Sequence, residues 1–323
     1  MTEGPVRIGL VGAGGIARTH LSRYTKLADA KIAAVCDTDL DTARRAVDSL
    51  LCTPIFESVE VMLEETELDA VDICTPPAFH AEAAMQAIEK GLNVLSEKPL
   101  SQDAATARKI AEAADLKGVL LMTGFCHRFH PPIAFVHEKI EAGDFGQIVM
   151  FRNRFAGPAK MEDRWFSRKA IAGGGAFIDT SIHSVDLFRF LVGEPTRVEA
   201  VMRRTSPAIK EVEDTAIALL ATADNRMGTV ECSWALPEGY NVVEVFGERG
   251  VAMIHYWDGM ASRYKTTRMK DWEPLPEKGD RFANELQHFL DACLGRTSLK
   301  VTGHDGVRAI EIAEAAYQSA GSW

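Results

Sequence analysis

The sequence predicts an α/β protein: an N-terminal doubly wound parallel sheet, followed by an α+β domain with a mainly antiparallel sheet. Three observations carry this reading. Up to about residue 124, short β-type runs alternate with helix-length runs, the grammar of crossover units. A glycine-rich turn joins the first strand to the first helix. Beyond that point strand-like runs follow one another without helices between them, as in antiparallel sheets. The length of 323 residues is also about twice that of a typical domain. We therefore expect a domain at 1–124 and another at 125–323, with the last helix free to pack back on the first.

Each element has its own signal. Residues 6–11 read as a buried strand and 16–27 as the helix after it. A second strand at 31–36 leads to a helix at 40–50, and a third at 70–74 to a helix at 78–90. Gly91 closes that helix, a residue type common just past a helix end. Strands at 92–95 and 119–122 flank a helix at 103–115. In the second half, Pro131 and Pro132 suit the first turn of a helix that ends near Gly143. A strand at 148–155 and a helix at 181–191 follow. Strand-like runs come next at 197–204, 216–221, 228–234, 241–246 and 251–256, and amphipathic helices at 281–294 and 306–318 end the chain.

Composition narrows the function classes. With 46 acidic and 36 basic residues the net charge is −10, a poor match to a generic binder of nucleic-acid phosphates. No apolar run reaches the roughly 18 residues of a membrane span. The start lacks a basic region followed by an apolar one, so no secretory signal is expected. The six cysteines lie at least 16 positions apart, so neither a disulfide framework nor a paired-thiol metal site is expected. Together these suit a soluble protein of the reducing cytoplasm.

The first strand runs into Gly12-Ala13-Gly14-Gly15-Ile16-Ala17, which matches G-x-G-x-x-A. Gly12 permits the tight turn, Gly14 lets the backbone approach a pyrophosphate, and Ala17 lets the helix pack close to the sheet. Gly15 and Ile16 open a helix whose unpaired N–H groups attract an anion. A tight turn alone would also use glycines. Asp37, at the end of the second strand and 25 positions past Gly12, favours a dinucleotide, since an acid there accepts hydrogen bonds from a ribose diol. The same carboxylate would repel a 2′-phosphate, and Arg44 and Arg45 read as a solvated helix face, so NAD is expected over NADP.

These and later motifs resemble the Gfo/Idh/MocA oxidoreductases, named for glucose–fructose oxidoreductase and inositol dehydrogenase. The matching residues are the glycine turn, Cys74-Thr75-Pro76-Pro77-Ala78-Phe79-His80, Glu97-Lys98-Pro99 and Gly124-Phe125-Cys126-His127-Arg128-Phe129. Further on they are Gly173-Gly174-Gly175 through Asp179 to His183, and Phe282-x-x-Glu285-x-x-His288-Phe289. The resemblance spans essentially the whole chain. It implies a Rossmann domain, then a domain whose large open sheet serves oligomer contacts, in a homodimer or homotetramer. It also implies nicotinamide-dependent redox chemistry on a sugar, inositol or related polyol. Two rival readings are an enzyme that recycles bound NAD with no net redox, and a non-catalytic NAD-binding regulator. A regulator has no need of Lys98, Asp179 and His183.

Glu97-Lys98-Pro99 follows a strand directly and so emerges at the carboxyl edge of the sheet, where ligands of such folds bind. Lys98 there can hydrogen-bond the reacting hydroxyl; in isolation it would read as a surface lysine before a turn. Asp179 and His183 are four apart and share a face if a helix begins here. His183 is the candidate general base and Asp179 orients substrate or imidazole, against the bland alternative of an N-capping Asp179 and a core His183. The triple glycine is expected to let a ligand approach the backbone closely. By resemblance, Thr75, Pro76, His80 and Glu97 lie along the cofactor, Trp165 lies beside the nicotinamide, and His127 lines the substrate pocket. Trp165 precedes Phe166, where some family members carry arginine. His127 and His130 lack the third ligand that a zinc-type site needs, so no metal is expected. Arg152, Arg154, Lys160, Arg164, Arg168 and Lys169 read as solvated charge.

Overall fold

The computed structural model describes residues 4–48, 53–256, 260–277 and 279–321. The predicted helix end at 49–50, Cys52 and the first three residues lie outside them. The chain packs as two compact units, residues 1–126 with 281–308 and residues 127–280 with 309–323. The sequence divides the chain after residue 124 and leaves the last helix free to pack back on the first domain; the packing assigns 281–308 to the first unit and 309–323, most of the last helix, to the second.

In the first unit the elements are β1 (Val6–Val11), α1 (Gly15–Tyr24), β2 (Ala30–Cys36), α2 (Leu40–Ala46), β3 (Ile55–Phe56) and α3 (Val59–Glu65). Then come β4 (Ala70–Ile73), α4 (His80–Glu89), β5 (Asn93–Ser96), α5 (Ala104–Lys117) and β6 (Leu121–Thr123). The sheet order is β3-β2-β1-β4-β5-β6, with every pair parallel. The order reverses between β1 and β4, and the crevice at the carboxyl ends of the strands flanking such a switch is where ligands bind. Leu10, Ala13, Ala17, Leu21, Val35, Ala43 and Cys74 form one apolar cluster, so Ala17 does bring α1 close to the sheet. The sequence misses β3 and α3: a strand of two residues shows no alternation to read.

The second unit holds α6 (Pro131–Glu141), β7 (Ile148–Pro158), α7 (Lys169–Ala172), α8 (Ile182–Leu191), β8 (Pro195–Arg203) and β9 (Thr215–Thr222). It continues with β10 (Met227–Ser233), β11 (Ala235–Gly247), β12 (Gly250–His255), β13 (Arg263–Thr266) and β14 (Glu273–Pro274). The chain ends in α9 (Arg281–Cys293) and α10 (Gly303–Ala320). The eight-stranded order is β14-β13-β12-β11-β7-β10-β9-β8. Among the described residues only the β10–β7 pair of this sheet is parallel, so the mainly antiparallel reading holds. On β9, Ala216, Ala218 and Leu220 are buried while Ile217 and Leu219 stand out on the other face. Helix α8 packs on β7 and β10 of the same sheet, where its Phe188 ring meets Phe151 of β7 edge-on at 5.7 Å.

Candidate active site

The glycine turn of the first unit is built by the clash it avoids. Gly12 takes φ +88°, and a methyl there would meet the Cys74 and Thr75 backbone at 2.8–2.9 Å. A Cβ at Gly14 or Gly15 would enter open space, so these two positions leave room for a ligand. Gly14 occupies the N-cap of α1 with no side-chain cap, and the first turn carries no acid, which leaves its N–H groups to an anion. Asp37 Oδ2 accepts the Ala13 N–H at 2.7 Å and Oδ1 the Asp39 N–H at 2.9 Å, fixing the carboxylate beside the turn. Thr75 Oγ1 is buried with no hydrogen-bond partner among the described residues. An uncapped helix start, space above two glycines and an orphaned hydroxyl fit a dinucleotide.

Two residues expected along the cofactor, His80 and Glu97, make contacts with protein atoms. His80 is fully buried, with Nδ1 2.8 Å from the Pro99 carbonyl and Nε2 2.6 Å from that of Thr75. Burial lowers its pKa while two carbonyl acceptors favour the doubly protonated ring. The neutral ring donates to one of these carbonyls and only the doubly protonated ring to both, so His80 packs between the Thr75 loop and the Lys98–Pro99 loop. Glu97 is also buried; its Oε1 lies 3.3 Å from His20 Nε2 and its Oε2 accepts the Lys98 N–H at 3.2 Å. Lys98 itself is half-buried at the carboxyl edge, just past β5.

In the second unit, residues Phe177–Ser181 form a π-helical turn that leads into α8. Such a turn re-aims side chains and often marks a functional site. It carries Asp179, and His183 follows on the first turn of α8; both are partly exposed. Asp179 does not cap α8, whose N-cap is Ser181, and His183 is not a core residue. The His183 ring meets the His127 ring edge-on at 4.6 Å. His127 Nδ1 lies 3.0 Å from the Tyr256 hydroxyl and its ring 4.9 Å from Phe155, while the His130 ring lies 4.6 Å from Tyr256. Next to His127, Arg128 grips Asp186 of α8 through Nε and Nη2, a buried pair that holds the two segments in register. Tyr256, just past β12, has no motif around it that would have singled it out.

The triple glycine serves a purpose other than the expected one. A methyl at Gly174 would run into the Tyr317 hydroxyl, and one at Gly175 into the Glu213 carbonyl oxygen. These two glycines make room for protein atoms. Glu213 Oε1 accepts from Phe177 N at 2.8 Å and Tyr317 Oη at 2.8 Å, and its carboxylate also takes Gly175 N at 3.1 Å. Trp165 stacks on its neighbour Phe166 at 3.7 Å. Arg152 and Arg154 pair with Glu244 and Glu231 across strands, so this part of the basic stretch is neutralised on the sheet.

Residues 6–125 match the model of an oxidoreductase family with an NAD-binding Rossmann fold, and residues 133–253 the GFO/IDH/MocA C-terminal domain. The rhizopine catabolism protein MocA of Rhizobium meliloti is 31% identical over 319 residues, 96% of this chain and 93% of its own. The chain belongs to the Gfo/Idh/MocA oxidoreductase family. Within it, inositol 2-dehydrogenase of Rhizobium meliloti (strain 1021) is 28% identical, covering 97% of this chain and 96% of its own. The crystal structure of GenD2 from gentamicin A biosynthesis, in complex with NAD, superposes with a TM-score of 0.87 at 28% identity. It covers all of this chain, and the match takes in 96% of GenD2. The protein is an oxidoreductase whose Rossmann domain binds NAD, the cofactor that Gly12, Gly14 and Asp37 indicate.

Proposed function

We propose that this family member is a dehydrogenase acting on a secondary hydroxyl, or the matching ketone, of a sugar, inositol or related polyol. The observation that carries the reading is the cluster of His183 on the first turn of α8, His127 in the turn before α6 and Tyr256 just past β12, polar rings that suit a hydroxyl-rich ligand. The name of the relative inositol 2-dehydrogenase supports the same substrate class. When bound, the nicotinamide takes up or returns the hydride. Lys98 donates a hydrogen bond to the reacting oxygen and steadies its developing charge. His183 accepts the hydroxyl proton, and Asp179 orients the imidazole or the substrate. Thr75 and Pro76 border the cofactor, and Trp165 faces the nicotinamide side.

The protein works in the cytoplasm as a homo-oligomer. Among the described residues no helix is long and apolar enough to cross a membrane, and five thiols are free of disulfides.

The test is reduction of NAD and NADP across a panel of sugars, sugar phosphates and inositols, with Lys98→Met as control. We expect NAD reduction by the native protein and a loss of about 10²–10⁴-fold in kcat for Lys98→Met. Binding of NAD, followed by fluorescence quenching, stays within a few fold. A preference for NADP would overturn the role given to Asp37, and undiminished turnover by Lys98→Met the role given to Lys98.

A further inference from the structure

A polar cluster beneath the Lys98 loop plays no part in the chemistry above. His20 lies on the inward face of α1 and is fully buried. Its Nδ1 sits 2.8 Å from Asp72 Oδ2 on β4, a hydrogen bond between two fully buried side chains. On the other side Nε2 faces Glu97 Oε1 at 3.3 Å, a charge contact whose angle falls short of a hydrogen bond. One imidazole thus stands between two carboxylates from neighbouring strands. A neutral ring would leave both anions facing it in a dry interior, where an uncompensated charge is most costly.

Cys74, Tyr24 and Glu285, which also surround the ring, do not supply that charge. Cys74 Sγ lies 3.6 Å from His20 Nδ1, and burial pushes its thiol far above neutrality, so it stays uncharged. Tyr24, one turn along α1, is likewise held neutral by burial. From α9, burial and the charge of Glu97 raise the pKa of Glu285 well above the usual carboxylate value. Arg281 lies over the Phe282 ring, which meets His20 at 6.0 Å. Burial alone would strip the proton from His20, but Asp72 above all raises its pKa well past the usual histidine value. Burial alone would protonate Glu97, and the contact with His20 brings it back below the usual value.

We infer that His20 is a positioning residue for Lys98: its positive charge fixes the Glu97 carboxylate, and that carboxylate sets the backbone position and local charge of the lysine. The inference rests on the role given to Lys98 above. The link is direct, because Glu97 Oε2 accepts the Lys98 N–H at 3.2 Å. Without the imidazolium, Glu97 takes up a proton in its buried site. Lys98 then loses the neighbouring anion that favours its ammonium form.

The experiment reads Lys98 itself. Competitive acetylation with acetic anhydride, quantified by mass spectrometry across pH, gives its titration midpoint in the NAD-free protein, independently of turnover. His20→Gln and Glu97→Gln should each lower that midpoint by about one unit. The double variant should go no further than either single one, since both act through the same carboxylate. The kcat pH profile of the single variants should move in the same direction. A midpoint that stays put in Glu97→Gln, or shifts that add in the double variant, would overturn the inference. Glu97→Gln is near-isosteric and decides the matter even if His20→Gln fails to fold. Full turnover by Lys98→Met would sink the catalytic reading and leave this titration result standing or falling by itself.

Discussion

At the scale of single residues, Glu285 is where the fold works against ionisation. It is fully buried on α9, and neither carboxyl oxygen has a hydrogen-bond partner among the described residues. Burial first, then the charges of Glu97 and Asp72, raise its pKa well above the usual carboxylate value. A raised pKa means that the folded state binds the proton more tightly than the unfolded one. The stability this proton contributes is complete below the unfolded carboxylate pKa and is lost as pH rises through the folded value. Glu285→Gln keeps the shape and removes the slope. Its unfolding free energy should match the native protein near pH 4 and exceed it by about 1–3 kcal/mol at pH 8, read from urea melts at both pH values. Equal stability at pH 8 would show Glu285 ionised at no cost. Lys98 and the Gly12 turn were legible in the sequence because each belongs to a short local motif. His20, Asp72 and the burial of Glu285 among their charges were not, because these groups meet only after folding: His20 finds Asp72 52 positions away.

At the scale of elements, the segment carrying Asp179 and His183 owes its start to Glu213. The predicted helix at 181–191 was read correctly from its periodicity, but the π turn before it has no sequence signature. Its first N–H groups, on Gly175 and Phe177, find the Glu213 carboxyl group from just before β9, and Tyr317 of α10 holds the same group. Burial raises the Glu213 pKa, while those N–H and hydroxyl donors pull it back. Glu213→Ala should therefore strand buried donors, at about 1–3 kcal/mol each, and lower both Tm and kcat. Glu213→Gln retains an acceptor and should recover most of both. Gly175→Ala pushes a methyl into the Glu213 carbonyl and should cost on the order of 3 kcal/mol. If Glu213→Ala kept native Tm and kcat, the carboxyl group would not be holding the turn. The sequence located this glycine run but not the residues it makes room for, because these lie 38 and 143 positions downstream.

At the scale of the whole molecule, the eight-stranded sheet is covered on one face and open on the other. Strand alternation made its strands legible, whereas β13 and β14 were too short to read. Register places Val201 opposite Ile217, and Met227 opposite both Ala221 and Met150, so these apolar side chains share the open face with Leu219. All except Ala221 are exposed, Ile217 and Leu219 by about half. Beside them the Arg152–Glu244 and Arg154–Glu231 pairs leave no net charge to repel an identical surface. A contiguous apolar strip of this kind marks a contact surface in a soluble protein, and a self-complementary one suits a twofold interface. Burying each large side chain would contribute about 1.5–3 kcal/mol. The native protein should therefore run in light-scattering chromatography as a multiple of its 35.4 kDa chain mass. Ile217→Glu with Leu219→Glu places two charges in the strip and should return it to a single chain with its circular dichroism unchanged. Both side chains point away from α8, so the core does not feel the change. A native protein already running as one chain, or a double variant that stays assembled, would show that this face is not the interface.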